Sequence, residues 1–212
     1  AYYYFNKGLE LLPEGSWQTY YDLTLSLHTQ ASEAAYLSAK FSALESLASA
    51  VIREAKTLLD KVSVYELQIL AYKAQQRPQQ AVQKAREVLA LFNVDLPHRT
   101  TSSEARVALV DMEDAIGDWD AGDFMNLPLM TDPYLMAAQR ALASVFFAAL
   151  ASAPNLATFV ALKQLELSLE HGNAASSVTA YALYGVLLTS QLDNPERGFN
   201  FGELALMLLE AH

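Results

Sequence analysis

Apolar residues recur at helical spacing along nearly the whole chain, and no segment reads as a strand. The pattern is clearest in 64–97, VYELQILAYKAQQRPQQAVQKAREVLALFNVDLP. Tyr65, Ile69 and Tyr72 stand at i, i+4 and i+7, and Ala81, Ala85, Val88 and Phe92 form a second stripe of the same kind. Arg77-Pro78 separates the two, because a proline drives the residue before it out of the helical region and itself suits the first position of the next helix. The stretch reads as a helical hairpin about one solenoid repeat long, which must stack on neighbours to bury both stripes.

The remaining elements follow from stripes and their punctuation. A helix from Tyr2 stops before Pro13, and a long one from Trp17 reaches about Ala39. Phe41, Leu44, Leu47, Ala48, Val51 and Ala55 line its partner. Thr101 and Glu104 have the spacing of a capping box, so a helix starts there and runs to Gly117. Asp132-Pro133, Pro154 and Asn194-Pro195 each start another helix. Gly172 ends one, and Asn173 is expected to cap the next. The last pair places Tyr181, Tyr184, Gly185 and Leu188 on one stripe and Phe201, Leu204, Ala205 and Leu208 on the other. Gly198, Gly202 and Ala205 are expected to form a smooth seam for close helix approach. The expectation is an all-α chain: a tetratricopeptide-like α-solenoid of antiparallel helix pairs, about ten helices in all. It is read as a single helical-repeat region, 1–212, with a sub-boundary at 93–103 and an irregular insert at 117–132.

Composition narrows the function classes. With 52% hydrophobic and 18% charged residues, 212 residues suffice for a substantial core. A net charge of -10 argues against nucleic acid as a partner, since phosphate binding needs a basic stripe. The absence of cysteine removes disulfides and thiolate metal sites and fits a cytoplasmic setting. The longest apolar run, Ala141 to Ala153, lies between Arg140 and Pro154 and reads as a buried helix too short for a membrane. The opening AYYYF has no basic leader and resembles the interior of a helix, so the chain is expected to be a piece of a longer protein.

Candidate chemistry is sparse. No phosphate-binding glycine loop or kinase motif is present, and the four histidines, His28, His98, His171 and His212, lack a second ligand at i+3 or i+4. His28 is followed by Thr29 and not by the acidic base that a phospho-accepting histidine would want. Asp118, Asp120 and Asp123 in DWDAGD fail the calcium-loop spacing, which reads better as a solvated acidic turn. Tyr2, Tyr3, Tyr4, Tyr20, Tyr21, Tyr36 and Tyr65 read as interhelical packing ahead of a ligand groove. No cofactor, metal or catalytic group is assigned. The insert has two readings. In one, Leu127, Leu129 and Met130 plug the core and Trp119 lies on a helix; in the other, Trp119, Phe124 and Met125 stay partly exposed as a partner-binding anchor.

TLLDKVSVYELQILAY, LFNVDLP, LPLMTDPYLMAAQRAL, HGNAASSVTAYALYG and ERGFNFGELALMLLE together resemble a segment of very large bacterial multi-sensor signal-transduction kinases. The most specific part is Gly198-x-x-x-Gly202-Glu203-Leu204-Ala205-Leu206. In that family a serine/threonine-kinase-like domain and a STAND-type ATPase precede a tetratricopeptide-like region that leads to a GAF sensor and often a histidine kinase. The resemblance implies a non-enzymatic helical scaffold with flanking domains of the parent protein as partners. The alternative it implies is a helical domain that senses a small inducer and regulates the adjacent ATPase. The 17–56 pair is longer than a tetratricopeptide repeat, and 117–133 fits none.

Overall fold

The computed structural model describes residues 1–211, so His212 lies outside the described residues. These residues form twelve α-helices and one 3-10 turn, with no strand, so the fold is all-α. The helices are α1 Tyr2–Glu10, α2 Ser16–Thr19, α3 Tyr21–Leu37, α4 Phe41–Glu54, α5 Val62–Ala74, α6 Pro78–Leu91, α7 Ser102–Ile116, α8 Ala121–Met125, α9 Pro133–Ser152, α10 Pro154–His171, α11 Ser177–Gln191 and α12 Pro195–Ala211. The chain divides within α6 into two compact units, 1–84 and 85–212.

In the first unit the expected long helix from Trp17 is two helices. Tyr20 leaves the helical region at φ -130°, ψ 50°, which separates α2 from α3. Helices α3, α4 and α5 close a core of Ala35, Leu44, Leu67 and Ala71, onto which Tyr2, Tyr36 and Phe41 pack. A second cluster holds Ala48, Val51, Ala55 and Val64, flanked by Trp17 and Leu25. Polar closure comes from Tyr21, whose hydroxyl donates to Asp60 Oδ2 at 2.7 Å and accepts from the Lys56 amide at 2.8 Å. In α5 the buried positions are Val62, Val64, Leu67, Gln68, Ile69 and Ala71, so Tyr65 and Tyr72 flank the buried stripe instead of forming it. The stripe of Ala81, Ala85, Val88 and Phe92 is buried as its spacing requires.

Three turns share one device. At Ala39, Gln76 and Asn93 the backbone turns left-handed, with φ of 53°, 57° and 57°. The amides that follow, of Lys40, Arg77 and Val94, reach back to the carbonyls of Ala35, Tyr72 and Leu89 at 2.8–3.0 Å. Each is the paired hydrogen-bond arrangement that satisfies the last carbonyls of a helix and reverses the chain. Glycine usually fills this position because an L side chain there crowds the carbonyl. Here alanine and glutamine bear that cost.

The second unit is built on α9 against α10 and α11 against α12, with α7 packed on α10 and α8 on α12. Helix starts follow the local signals. Thr101 and Glu104 form the capping box of α7, and the Asp132 carboxylate accepts from the Tyr134 and Leu135 amides at the start of α9. The Asn194 side chain accepts from the Arg197 amide. Helix α9 corrects the expected apolar run. Arg140 lies inside it and does not end it, so α9 has 20 residues, long and apolar enough by length and composition to cross a membrane. Half of that stretch is buried, including Gln139, whose amide donates to the Gln164 carbonyl at 2.9 Å and to Ser168 Oγ at 2.8 Å. These contacts are those of a core helix.

The left-handed turn yields a stability prediction. Ala39→Gly removes the side-chain clash at φ 53° and raises stability by about 1 kcal/mol, read as a higher urea midpoint. Ala39→Val lowers the midpoint.

Candidate functional site

The insert between α7 and α9 is ordered by its own carboxylates. Asp120 Oδ1 accepts from the amides of Gly122 and Asp123 at 2.7 and 3.2 Å, and Asp123 Oδ2 accepts from the Asp120 amide at 2.9 Å. This reciprocal cap starts the five-residue α8, so what reads in sequence as a solvated acidic turn is a helix start. Among the described residues no group of three or more His, Asp or Glu is placed to hold a metal ion.

Helix α8 delivers Phe124 to the interior. Its ring meets those of Tyr181 and Phe201 edge-on, with centroids 5.5 and 5.2 Å apart. At 2% exposure Phe124 cannot serve as a surface anchor, which corrects the reading that kept it partly exposed. An aromatic ring in contact with two others gains more inside than at a wet surface. Met125 is half-buried, and Trp119, at 41% exposure, stands edge-on to Phe124 at 5.3 Å. The rival reading needs correction as well. Met130 is buried, but Leu129 projects to solvent and Leu127 is only half-buried.

Asn173 fastens this insert. Its backbone amide donates to the Pro128 carbonyl at 2.7 Å, and its carbonyl accepts from the Met130 amide at 2.8 Å, giving an isolated parallel bridge between Leu129 and Asn173. The side-chain amide donates to the Phe124 carbonyl at 2.8 Å, and the side-chain oxygen accepts from the Tyr181 hydroxyl at 2.7 Å. Asn173 is therefore a buried tie and not the cap of α11; the cap-like bond there runs from the Ala174 amide to Ser177 Oγ at 2.9 Å. Gly172 beside it is obligatory. At φ 94° a Cβ would sit 2.1 Å from the Pro128 carbonyl oxygen. Burial pushes the Tyr181 phenol well above its ordinary value, so it remains a donor to Asn173.

A cavity of about 330 Å³ lies between the insert and α12, walled by Trp119, Phe124, Phe201 and Met207, with Asp118 and Arg197 at its edge. Arg197 is engaged: it pairs with Glu113 and donates to the Gly117 carbonyl at 2.7 Å, where the C-terminus of α7 favours a cation. Glu113 also accepts from the buried Tyr184 hydroxyl at 2.8 Å. Burial, and after it the bond to this carboxylate, raises the Tyr184 phenol well above its ordinary value.

The close helix approach is real but involves a different pair of glycines. A Cβ on Gly198 would lie 2.2 Å from Thr189 Oγ1 and 2.6 Å from the Gly185 carbonyl, and one on Gly185 would lie 2.5 Å from the Gly198 carbonyl. The seam is Gly185 against Gly198, whereas a Cβ on Gly202 meets nothing within 4 Å. Gly202 instead floors an open groove of about 470 Å³ between α11 and α12, bordered by Ala182, Val186, Thr189, Pro195 and Phe199. Around it the outward face of the hairpin is apolar. Val186, Phe199, Leu206 and Leu209 are 59%, 65%, 61% and 62% exposed. Sequence reading had assigned the single inward stripe of α12 and missed this outward one, although its three- and four-residue spacing is present in FNFGELALMLL.

The other candidate residues remain separate. His28 is half-buried, its Nδ1 donates to the Thr24 carbonyl at 2.8 Å, its ring lies 4.8 Å from Trp17, and burial lowers its pKa. His98 and His171 are exposed. The tyrosines do not gather in one groove: Tyr3, Tyr4 and Tyr20 are exposed, and Tyr2, Tyr21 and Tyr36 are half-buried in packing. Comparison of the chain with family models, curated proteins and solved structures finds no match.

The two glycines of the expected seam should respond oppositely to alanine. Gly198→Ala destabilises by roughly 1–3 kcal/mol through overpacking, and Gly202→Ala stabilises by about 0.5–1 kcal/mol through helix propensity. Thermal melts of the two variants check the assignment; equal shifts would refute it.

Proposed function

We propose that the chain is a non-enzymatic helical scaffold whose task is to hold other helices or domains, and that it does so as the tetratricopeptide-like region of a large cytoplasmic bacterial signalling kinase. The observation that carries this reading is the second apolar face of α12. Its inward stripe of Phe201, Leu204, Ala205 and Leu208 is buried, while Phe199, Leu206 and Leu209 form an outward one. A helix that is apolar on two sides has a place for a further helix, which is how helical arrays extend and bind. A contiguous exposed apolar face at a hairpin also marks an interaction surface in a folded protein. The resemblance to multi-sensor kinases supplies the setting, with flanking domains of the same polypeptide as the partners.

The Trp119 cavity supports a second reading, the sensing of a small molecule. Its size is near the lower end of ligand clefts, which span about 300–1,000 Å³, and its walls combine Trp119, Phe124 and Phe201 with polar groups such as Asn200 and Glu203. The scaffold reading is preferred because the outward face of α12 presents several large apolar side chains, whereas Phe124 and Phe201 in the cavity already satisfy each other.

A photo-cross-linking residue at Leu206 in the full-length parent protein tests the proposal. The scaffold reading expects an adduct to a flanking domain, with none from the exposed control position Glu170. Absence of an adduct at Leu206, or equal labelling from Glu170, would overturn it.

A further inference from the structure

The outward face of α12 carries more than apolar surface. Phe199, Gly202, Leu206 and Leu209 are spaced three, four and three residues apart, the alternation of a coiled-coil seam. Glu196, Glu203 and Glu210 are seven residues apart, so they run in one line along the helix next to that seam, and all three are exposed. On the other side Gly198 and Ala205 are buried, and the bordering surface is Ala182, Val186 and Thr189 of α11. One border is therefore acidic and the other uncharged. The cation of α12, Arg197, is occupied by Glu113 and the Gly117 carbonyl. None of the three glutamates is in an ion pair among the described residues.

We propose that this face receives one amphipathic helix, with an apolar heptad stripe for the seam and Lys or Arg at the positions facing the glutamate line. The proposal rests on the scaffold reading and names the chemistry of its partner. Charge complementarity selects the occupant. A second copy docked two-fold and antiparallel would place glutamate line against glutamate line, and like charges facing across an interface oppose it. An anionic lipid surface is repelled by the same line. A helix with basic flanks meets carboxylates spaced every two turns. The open position above Gly202, where a Cβ finds nothing within 4 Å, offers a hole for one large side chain of the incoming helix.

The test uses the whole chain and three designed helices of about four heptads with leucine cores, flanked by Lys, Gln or Glu. Titration calorimetry at low and physiological salt is expected to show the Lys-flanked helix binding about tenfold more tightly than the Gln-flanked one, with the gap narrowing as salt rises. The Glu-flanked helix should bind weakest. The combined Glu196→Lys, Glu203→Lys, Glu210→Lys variant should reverse the order, and Leu206→Glu should abolish binding without changing the circular dichroism melt. Equal binding of all three helices would overturn the charge assignment while leaving the scaffold reading intact. Failure of all three to bind while the Leu206 cross-link persists would overturn the coiled-coil seam alone. A dimer of the chain in sedimentation that Leu206→Glu dissociates would make the occupant a second copy and overturn the proposal.

Discussion

The insert between α7 and α9 is held to the rest of the second unit by one buried asparagine. Asn173 uses both backbone groups and both ends of its side chain, so four hydrogen bonds converge on a single residue between α10 and α11. Three of the four partner residues, Phe124, Met130 and Tyr181, are themselves buried. Leaving the buried Tyr181 hydroxyl without its bond would cost about 1–3 kcal/mol, a large fraction of a domain's net stability. The tie explains why a short, acidic, aromatic insert is ordered at all. With Phe124 fixed against Tyr181 and Phe201, the inward stripe of α12 is fully occupied, and the remaining apolar residues of that helix are left facing outward.

Local physics made some of this legible. The Thr101 capping box, Asp132-Pro133 and Asn194-Pro195 marked helix starts because a cap is satisfied by amides two or three residues away, and Pro154 marked one because proline suits the first helical position. Asn173 carried the same local signal but was used for contacts 8 and 49 residues distant, which no spacing rule shows. The breaks after Ala39 and Gln76 were legible, but their left-handed conformation was not, since the expected glycine is missing and the turns are closed by backbone hydrogen bonds. The GxxxG pattern placed Gly198 correctly in a close approach, but a spacing of four does not identify the partner. That partner is Gly185 on the preceding helix, and Gly202 is turned toward open space.

The same limits apply to the site. Trp119, Phe124 and Met125 stood out because large apolar residues among aspartates look out of place, and only Trp119 of the three is exposed. The outward stripe of α12 was overlooked because its inward stripe already accounted for the helix. Two stripes on one helix are the more informative observation, since burial needs only one. Beside the second stripe the regular placement of Glu196, Glu203 and Glu210 turns an apolar face into one with a chemical preference.

Native-state hydrogen exchange on wild type and Asn173→Ala tests the Asn173 tie most directly. The amides of Asp123, Phe124 and Met130, bonded within the insert or to Asn173, should in the wild type open only together with those of α11. In Asn173→Ala they should exchange much faster while α11 and α12 keep their protection, because the insert comes loose without dissolving the hairpin. Unchanged protection of the insert in the variant, or rapid exchange there in the wild type, would contradict the claim that this residue holds the insert in place.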